Sequence, residues 1–86
     1  STAVLIDLFD ESTSPLRIVA TIIVERSSQK GIVIGKDGAM LGQIRQQATA
    51  EISRVFERPV RLELWVKVQK NWTEKKDLLQ SLGLPG

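Results

Sequence analysis

Cysteine and histidine are both absent from this sequence. Without them there is no disulfide framework and no thiolate nucleophile, and the commonest ligands of transition metals are missing. The commonest general base is missing too. The acidic residues Asp7, Asp10 and Glu11 could hold magnesium, but they lie beside a predicted turn, where solvated carboxylates are normal. We therefore expect a binding domain and not an enzyme.

Long apolar runs are also absent. No stretch approaches the roughly 20 apolar residues of a membrane-spanning helix, and no signal or transit peptide is recognisable at the start. The 86 residues are enough for one domain with a modest core. Because the chain lacks an initial methionine and a strand pattern begins at once, we expect it to be part of a longer protein.

The charge is small but unevenly distributed. The formal net charge is +2, yet residues 1–25 hold one arginine against four acidic side chains, so the excess positive charge lies in the rest of the chain. That part contains a glycine-rich loop, and a basic surface there suits a polyanion such as RNA. A solvated lysine-rich face would give the same pattern.

The most informative stretch is the Gly-x-x-Gly segment of Gly35, Lys36, Asp37 and Gly38. Glycine has no Cβ, so the chain can turn tightly and another backbone can lie against it. A helical pattern begins directly behind the loop, and the first N–H groups of a helix attract phosphate. The charges of Lys36 and Asp37 cancel, which leaves the backbone as the main contact. We expect the partner to be single-stranded RNA.

The loop has two other interpretations. A nucleotide-binding P-loop fits poorly, because only three apolar residues separate Gly31 from Gly35, and Asp37 stands where a hydroxyl would hold magnesium. The second alternative is a glycine turn that joins two helices and binds nothing.

Hydrophobic periodicity predicts three strands. Val4, Ile6 and Leu8 alternate with other residues, which predicts a strand to about Phe9. Residues 10–15 are typical of a turn. The β-branched run from residue 16 to 25 predicts a central strand, and strict alternation after Pro59 predicts a third strand over residues 60–69.

The same analysis predicts three helices. A short helical turn over residues 28–34, capped by Ser27 or Ser28, precedes the glycine loop. Apolar residues at steps of three and four predict a long helix over residues 39–57. A last helix is expected to open after Asn71.

These elements predict an α+β fold. We expect a three-stranded mixed sheet in the order 1-2-3, with helices on one face and a right-handed crossover between the second and third strands. The opposite face would carry Leu5, Ile23 and Trp65 beside charged residues. A neighbouring domain or another protein could dock on that face, which gives the alternative function of a protein-interaction module.

This order of elements, with a Gly-x-x-Gly loop between two helices, resembles the type II (bacterial) KH domain. Two longer blocks, residues 24–41 and 64–72, are similar to the C-terminal domain of Era-type GTPases. The resemblance extends from about Ala3 to Leu84. It implies that residues 1–86 form one KH domain of a larger GTPase, without the helix that the family has before its first strand and without the GTP-binding domain.

The resemblance also implies a function and partners. Era-type proteins hold the single-stranded 3′ end of small-subunit ribosomal RNA during ribosome assembly, while an N-terminal G domain binds GTP. The expected partners are therefore single-stranded RNA, the small ribosomal subunit and a G domain, and no cofactor is expected in this domain. The expected location is the cytoplasm, in association with ribosomes, with an organellar matrix or stroma as the alternative.

Matching positions give the expected site. The phosphate-gripping loop is Gly35, Lys36, Asp37 and Gly38, and bases are expected in a groove between the long helix and an edge of the sheet. The other expected RNA-binding residues shape the preceding helix, belong to its basic rim or lie on the polar side of the long helix: Ile32, Ile34, Lys30, Arg26, Gln43 and Arg45. Family members usually carry lysine at Gly42, glycine at Arg45 and a basic residue at Thr49.

Overall fold

The computed structural model describes residues 2–83, with the backbone alone for residues 72–76. The elements in chain order are β1 (Thr2–Asp10), β2 (Leu16–Val24), α1 (Ser27–Ile34), a 3-10 turn (Lys36–Gly38), α2 (Ala39–Phe56), β3 (Val60–Val68) and α3 (Trp72–Ser81). The predicted strands and helices are confirmed, and their ends differ from the predicted ends by no more than two residues.

The three strands form one mixed sheet in the order β1-β2-β3, as predicted. β1 and β2 are antiparallel because a short turn joins them, whereas β2 and β3 are parallel because α1 and α2 lie between them. Arg58, which follows the C-terminal end of α2, stabilises the β1–β2 turn. Its guanidinium donates hydrogen bonds to the carbonyl oxygens of Glu11 (3.3 Å) and Thr13 (2.6 Å).

A β-bulge at Asp7 changes which side chains of β1 face the helices. The pairing register shifts between Ile6 and Leu8, so that Leu8 pairs with Val19 on the sheet face opposite the helices. Phe9 takes the place on the helix side and packs against Phe56 of α2, with ring centroids 5.6 Å apart. Leu8 therefore does not share a face with Val4 and Ile6, because the bulge inserts one residue into the alternation.

The core lies between the central strand and α2. Leu16, Ile18 and Leu62 are buried, and Ala48 and Ile52 of α2 pack against them. α2 makes its main sheet contacts with β3 and meets β1 at Phe9. The helix-side residues Val4 and Ile6 are exposed and border an apolar hollow of about 340 Å³. The packing thus fixes α2 along β3.

The sheet face away from the helices is only partly as expected. Leu5 and Trp65 lie in one row, on either side of Thr21, and their exposed fractions are 41% and 60%. Ile23, however, lies on the central strand between Ala3 and Lys67 and is only 2% exposed. The expectation that Ile23 contributes to an exposed docking face is therefore wrong.

Two further findings concern the described residues alone. None of their helices is long and apolar enough to cross a membrane. Nor do three or more of their acidic side chains come together in a way that could hold a metal ion.

Candidate nucleic-acid interface

Helix α1 holds the Gly-x-x-Gly loop at its end, and a glutamine fixes its start. The Gln29 side-chain oxygen accepts hydrogen bonds from the backbone N–H groups of Glu25 (2.9 Å) and Arg26 (3.0 Å). The helix begins at Ser27 without a serine cap, so the prediction of capping by Ser27 or Ser28 is wrong. Glutamine at this position satisfies the same kind of unpaired donor, as in half of a capping box.

Gly35 ends α1 and lies tightly against the start of α2. Its backbone angles are φ 73° and ψ 179°, a conformation that residues with a side chain rarely adopt. A Cβ built there would lie 2.7 Å from Met40 Cβ, which is closer than real contacts allow. The Gly35 N–H also donates to the carbonyl oxygen of Gly31 (2.8 Å). The first glycine of the motif is therefore required by the fold itself.

Gly38 differs from Gly35 because a side chain there would enter open space. Its φ is also positive, at 77°, and Asp37 before it adopts the left-handed conformation with φ 54°. A Cβ on Gly38 would meet no atom within 4 Å. The fold needs a residue that tolerates positive φ here, but the space beside it is open for a ligand.

The loop leaves two neighbouring backbone donors available. The N–H groups of Gly38 and Ala39 bond to the carbonyl oxygens of Gly35 and Lys36 within the turn. The N–H groups of Lys36 and Asp37 make no such bond among the described residues. Successive free N–H groups in a turn form an anion-binding concavity, which a phosphate oxygen fits. No acidic side chain lies in the first turn of α2 to compete for it.

A groove runs along α2, from Arg45 onward, and along the open edge of β3. We call it the α2–β3 groove. It consists of two adjoining hollows of about 490 and 330 Å³ that share Arg45. α2 contributes Arg45, Gln46, Thr49, Ala50 and Ser53, and the other wall contributes Pro59, Val60, Arg61, Leu62, Glu63 and Leu64.

The charges of α2 differ in availability. Arg54 forms an ion pair with Glu51, and this hydrogen bond lowers the pKa of the Glu51 carboxyl group. Arg45 is exposed in the groove and makes no hydrogen bond or ion pair with any side chain that the structure describes. Arg45 is therefore the cation of α2 that is available to a phosphate or a base.

The edge of β3 presents its main chain to the same groove. The Gln69 N–H bonds to Val24 and the Pro59 carbonyl accepts from Leu16, so odd-numbered residues of β3 direct their backbone groups toward β2. In a strand the direction alternates, and the backbone groups of Leu62 and Leu64 therefore lie at the unpaired edge. These donors and acceptors can bond the edges of bases.

Most of the expected site residues come together, but not all. Gly35 to Gly38 form one open turn, and Arg45 lines the groove. Ile32 is 73% exposed beside the loop, while Lys30 and Ile34 are half-buried in α1. Gln43 is exposed on α2 but is not part of either hollow.

Arg26 lies apart from the loop. It precedes the first residue of α1, about 13 Å along the helix axis from Gly35, and borders a polar hollow with Lys70 and Asn71. Arg61 is a groove residue that the sequence did not indicate. The alternation of β3 predicts that Arg61 is exposed. It does not predict which edge of the sheet is left open by the helices, so it cannot place Arg61 in a groove.

Comparison with known proteins gives a family and a fold. The model of the KH domain family matches residues 2–73. Aquifex aeolicus Era bound to GDP·AlF4⁻ superposes with a TM-score of 0.84 and 37% sequence identity, over 100% of this chain and 30% of the Era chain. Era in complex with MgGDPNP and nucleotides 1506–1542 of 16S ribosomal RNA gives the same TM-score, identity and coverage.

The match is therefore complete for this chain but partial for its relatives. This chain spans 30% of the length of each of the two Era chains. The family match covers the whole sheet and both helices that flank the glycine loop. The chain thus belongs to the KH domain family, and its α+β fold is similar to part of the Era GTPases.

Proposed function

We propose that this chain binds single-stranded RNA, with the backbone of the Gly-x-x-Gly loop on the phosphates and the bases in the α2–β3 groove. Membership of the KH family and the likeness to an Era that was solved with 16S ribosomal RNA support RNA binding in general. The observation that carries the proposal is the open loop, in which the N–H groups of Lys36 and Asp37 are free and no atom occupies the space beside Gly38.

The loop would recognise RNA without regard to sequence. Phosphate oxygens accept hydrogen bonds from the two free N–H groups, and the absence of a Cβ at Gly38 lets the sugar–phosphate backbone approach closely. The Lys36 side chain is exposed and adds a mobile positive charge, which Asp37 partly offsets. Contacts of this kind position the strand but do not select its bases.

The groove would provide the selection. Bases of a single strand can be splayed out and hydrogen-bonded on their Watson–Crick edges, and the free backbone groups of Leu62 and Leu64 present donors and acceptors in a fixed pattern. Arg45 faces them across the groove and can stack on a base or pair with a phosphate. A base that is paired in a duplex cannot offer this edge.

The finer assignments follow from the likeness to Era. We propose that the RNA is the 3′ end of small-subunit ribosomal RNA, and that the parent protein acts on the small ribosomal subunit during its assembly. A GTP-binding domain in the same parent chain would supply the GTPase activity, and the cytoplasm or an organellar matrix or stroma would be the location. For this domain itself we propose a binding role and not an enzymatic one.

The proposal is tested by binding single and double strands of one sequence. We expect a labelled oligonucleotide of about eight nucleotides to bind at least about ten times more tightly alone than when it is paired with its complement, because only the single strand exposes its base edges. The logarithm of affinity should fall with the logarithm of salt concentration by about 0.7 for each phosphate contacted. Fluorescence anisotropy measures both quantities.

Two outcomes would contradict the proposal. Equal affinity for the single strand and the duplex would mean that the groove does not bind base edges. Binding that does not change with salt would exclude a grip on phosphate, and it would favour docking through the apolar side chains of Leu5 and Trp65 instead.

A further inference from the structure

A second strip of side chains lies around the edge of β3, on the sheet face away from α2. Leu62 and Leu64 face the helix, so the alternating residues Arg61, Glu63, Trp65 and Lys67 lie on the opposite face. We call these four residues the outer strip. Its aromatic ring, Trp65, lies between the cations Arg61 and Lys67 on the same strand. Trp65 does not line the α2–β3 groove.

Trp65 is held in place although it is exposed. Its side chain is 60% exposed, and its indole N–H donates a hydrogen bond of 2.7 Å to the Glu63 carboxylate. An indole that is fixed at one edge keeps its flat face available, and base stacking on such a face tolerates any sequence. The neighbouring Thr21 hydroxyl donates a hydrogen bond of 2.6 Å to the Asp7 carboxylate, so that the position next to the ring on the central strand is polar.

The outer strip is continuous with the groove. Arg61 and Glu63 belong to the outer strip and also line the hollow that contains Arg45. Arg61 therefore belongs both to the outer strip and to the wall of the groove. At about 3.3 Å per residue, Trp65 lies about 13 Å from Arg61 and Lys67 about 7 Å farther along the strand, distances that a few nucleotides can span.

We propose that the outer strip is a second RNA-contact surface, on which a nucleotide flanking the groove-bound segment stacks on Trp65 while Arg61 and Lys67 contact phosphates. This inference rests on the proposed function, because the same single strand would occupy both surfaces. It adds a length requirement: RNA that fills only the groove does not reach the ring.

The chemistry of the face favours RNA over a protein partner. A protein that docks here would need a contiguous apolar patch, but Ile23 is buried, and Thr21 and Asp7 separate Leu5 from Trp65. The other apolar pair of this face, Leu8 and Val19, lies in the next row, where β3 contributes the charged Glu63. The strand that carries Trp65 offers Arg61 and Lys67 instead. Glu63 is the one acidic side chain of the strip, and its bond to Trp65 uses one of its oxygens.

The test compares two lengths of RNA on the intact chain and on Trp65→Leu. KH domains clamp about four nucleotides, so an oligonucleotide of about four fills the groove, and one of about eight also reaches the outer strip. We expect Trp65→Leu to weaken binding of the longer RNA about tenfold, the loss of one stacked base, and to leave the shorter RNA within about twofold. The longer RNA should also quench tryptophan emission, and Trp65→Leu should remove that quenching.

Leu5→Ala is the matched control, because it removes an apolar side chain from the same face at the opposite edge of the sheet. We expect Leu5→Ala to leave the affinities for the shorter and the longer RNA unchanged. The inference would be overturned if Trp65→Leu lowered the affinities for both lengths of RNA equally, or if it left the affinity for the longer RNA unchanged. Either result would leave RNA binding in the groove intact. If the unchanged chain binds neither RNA, the proposed function fails as well, so the two failures are distinguishable.

Discussion

Replacing Gly38 with aspartate should lower RNA affinity at least about a hundredfold while the domain stays folded. The new side chain would enter the open space beside the loop, where a Cβ meets no atom within 4 Å. A carboxylate at this point repels the phosphate that the Lys36 and Asp37 N–H groups bind, and juxtaposed like charges cost several kcal/mol. Affinity is measured by anisotropy titration, and folding by circular dichroism.

Gly38→Asn separates the charge from the backbone effect. Asparagine and aspartate have nearly the same size, and both tolerate the left-handed conformation that the φ of 77° requires. We expect Gly38→Asn to lose far less affinity than Gly38→Asp and to unfold at a similar temperature. If both variants are folded and bind RNA as tightly as the unchanged chain, the loop has no part in binding.

Replacing Gly35 with alanine should destabilise the domain by about 2 kcal/mol or more. The conformation at φ 73° and ψ 179° is nearly restricted to glycine, and strain of this kind costs about 1–3 kcal/mol. The added Cβ would also lie 2.7 Å from Met40 Cβ, so either the loop or the start of α2 must move. Urea denaturation measures the free energy of unfolding.

Gly31→Ala provides the comparison on the same helix. A Cβ there meets nothing within 4 Å, and replacing an unconstrained helical glycine with alanine stabilises a helix by about 0.5–1 kcal/mol. We expect the free energies of unfolding of the two variants to change in opposite directions. An unchanged stability of Gly35→Ala would show that the close approach to Met40 is not needed.

The local parts of the fold and site could be predicted from the sequence because their signals are local. The steps of three and four in α2 and the strict alternation in β3 identify those elements without knowledge of the tertiary structure. The two glycines around Lys36 and Asp37 indicate the loop for the same reason: a tight turn next to a helix start has few alternative residue choices.

Features that depend on distant parts of the chain could not be predicted. The bulge at Asp7 reverses the faces of Leu8 and Phe9, and nothing in the alternation of β1 indicates an inserted residue. The burial of Ile23 could not be predicted from β2 alone, because consecutive residues of that strand are apolar and do not distinguish its two faces. Arg61 lines the groove because α2 packs so that one edge of β3 stays open, and this packing is not visible in the sequence.

The two glycines of the motif have different physical roles, which the sequence pattern cannot show. Gly35 is required by contact with Met40, whereas the space beside Gly38 is empty. The loop therefore combines a structural glycine with one that is available to the ligand. This division explains why we expect a change at Gly35 to reduce stability and a change at Gly38 to reduce binding.

The central claim is that main-chain amides of the loop bind the RNA backbone, and amide resonances test it most directly. We predict that titration with a single-stranded ribo-oligonucleotide shifts the backbone amide signals of Lys36 and Asp37 most strongly, with smaller shifts along β3 at Leu62 and Leu64. Saturating RNA that shifts signals elsewhere in the domain and leaves residues 35–38 unchanged would contradict the account.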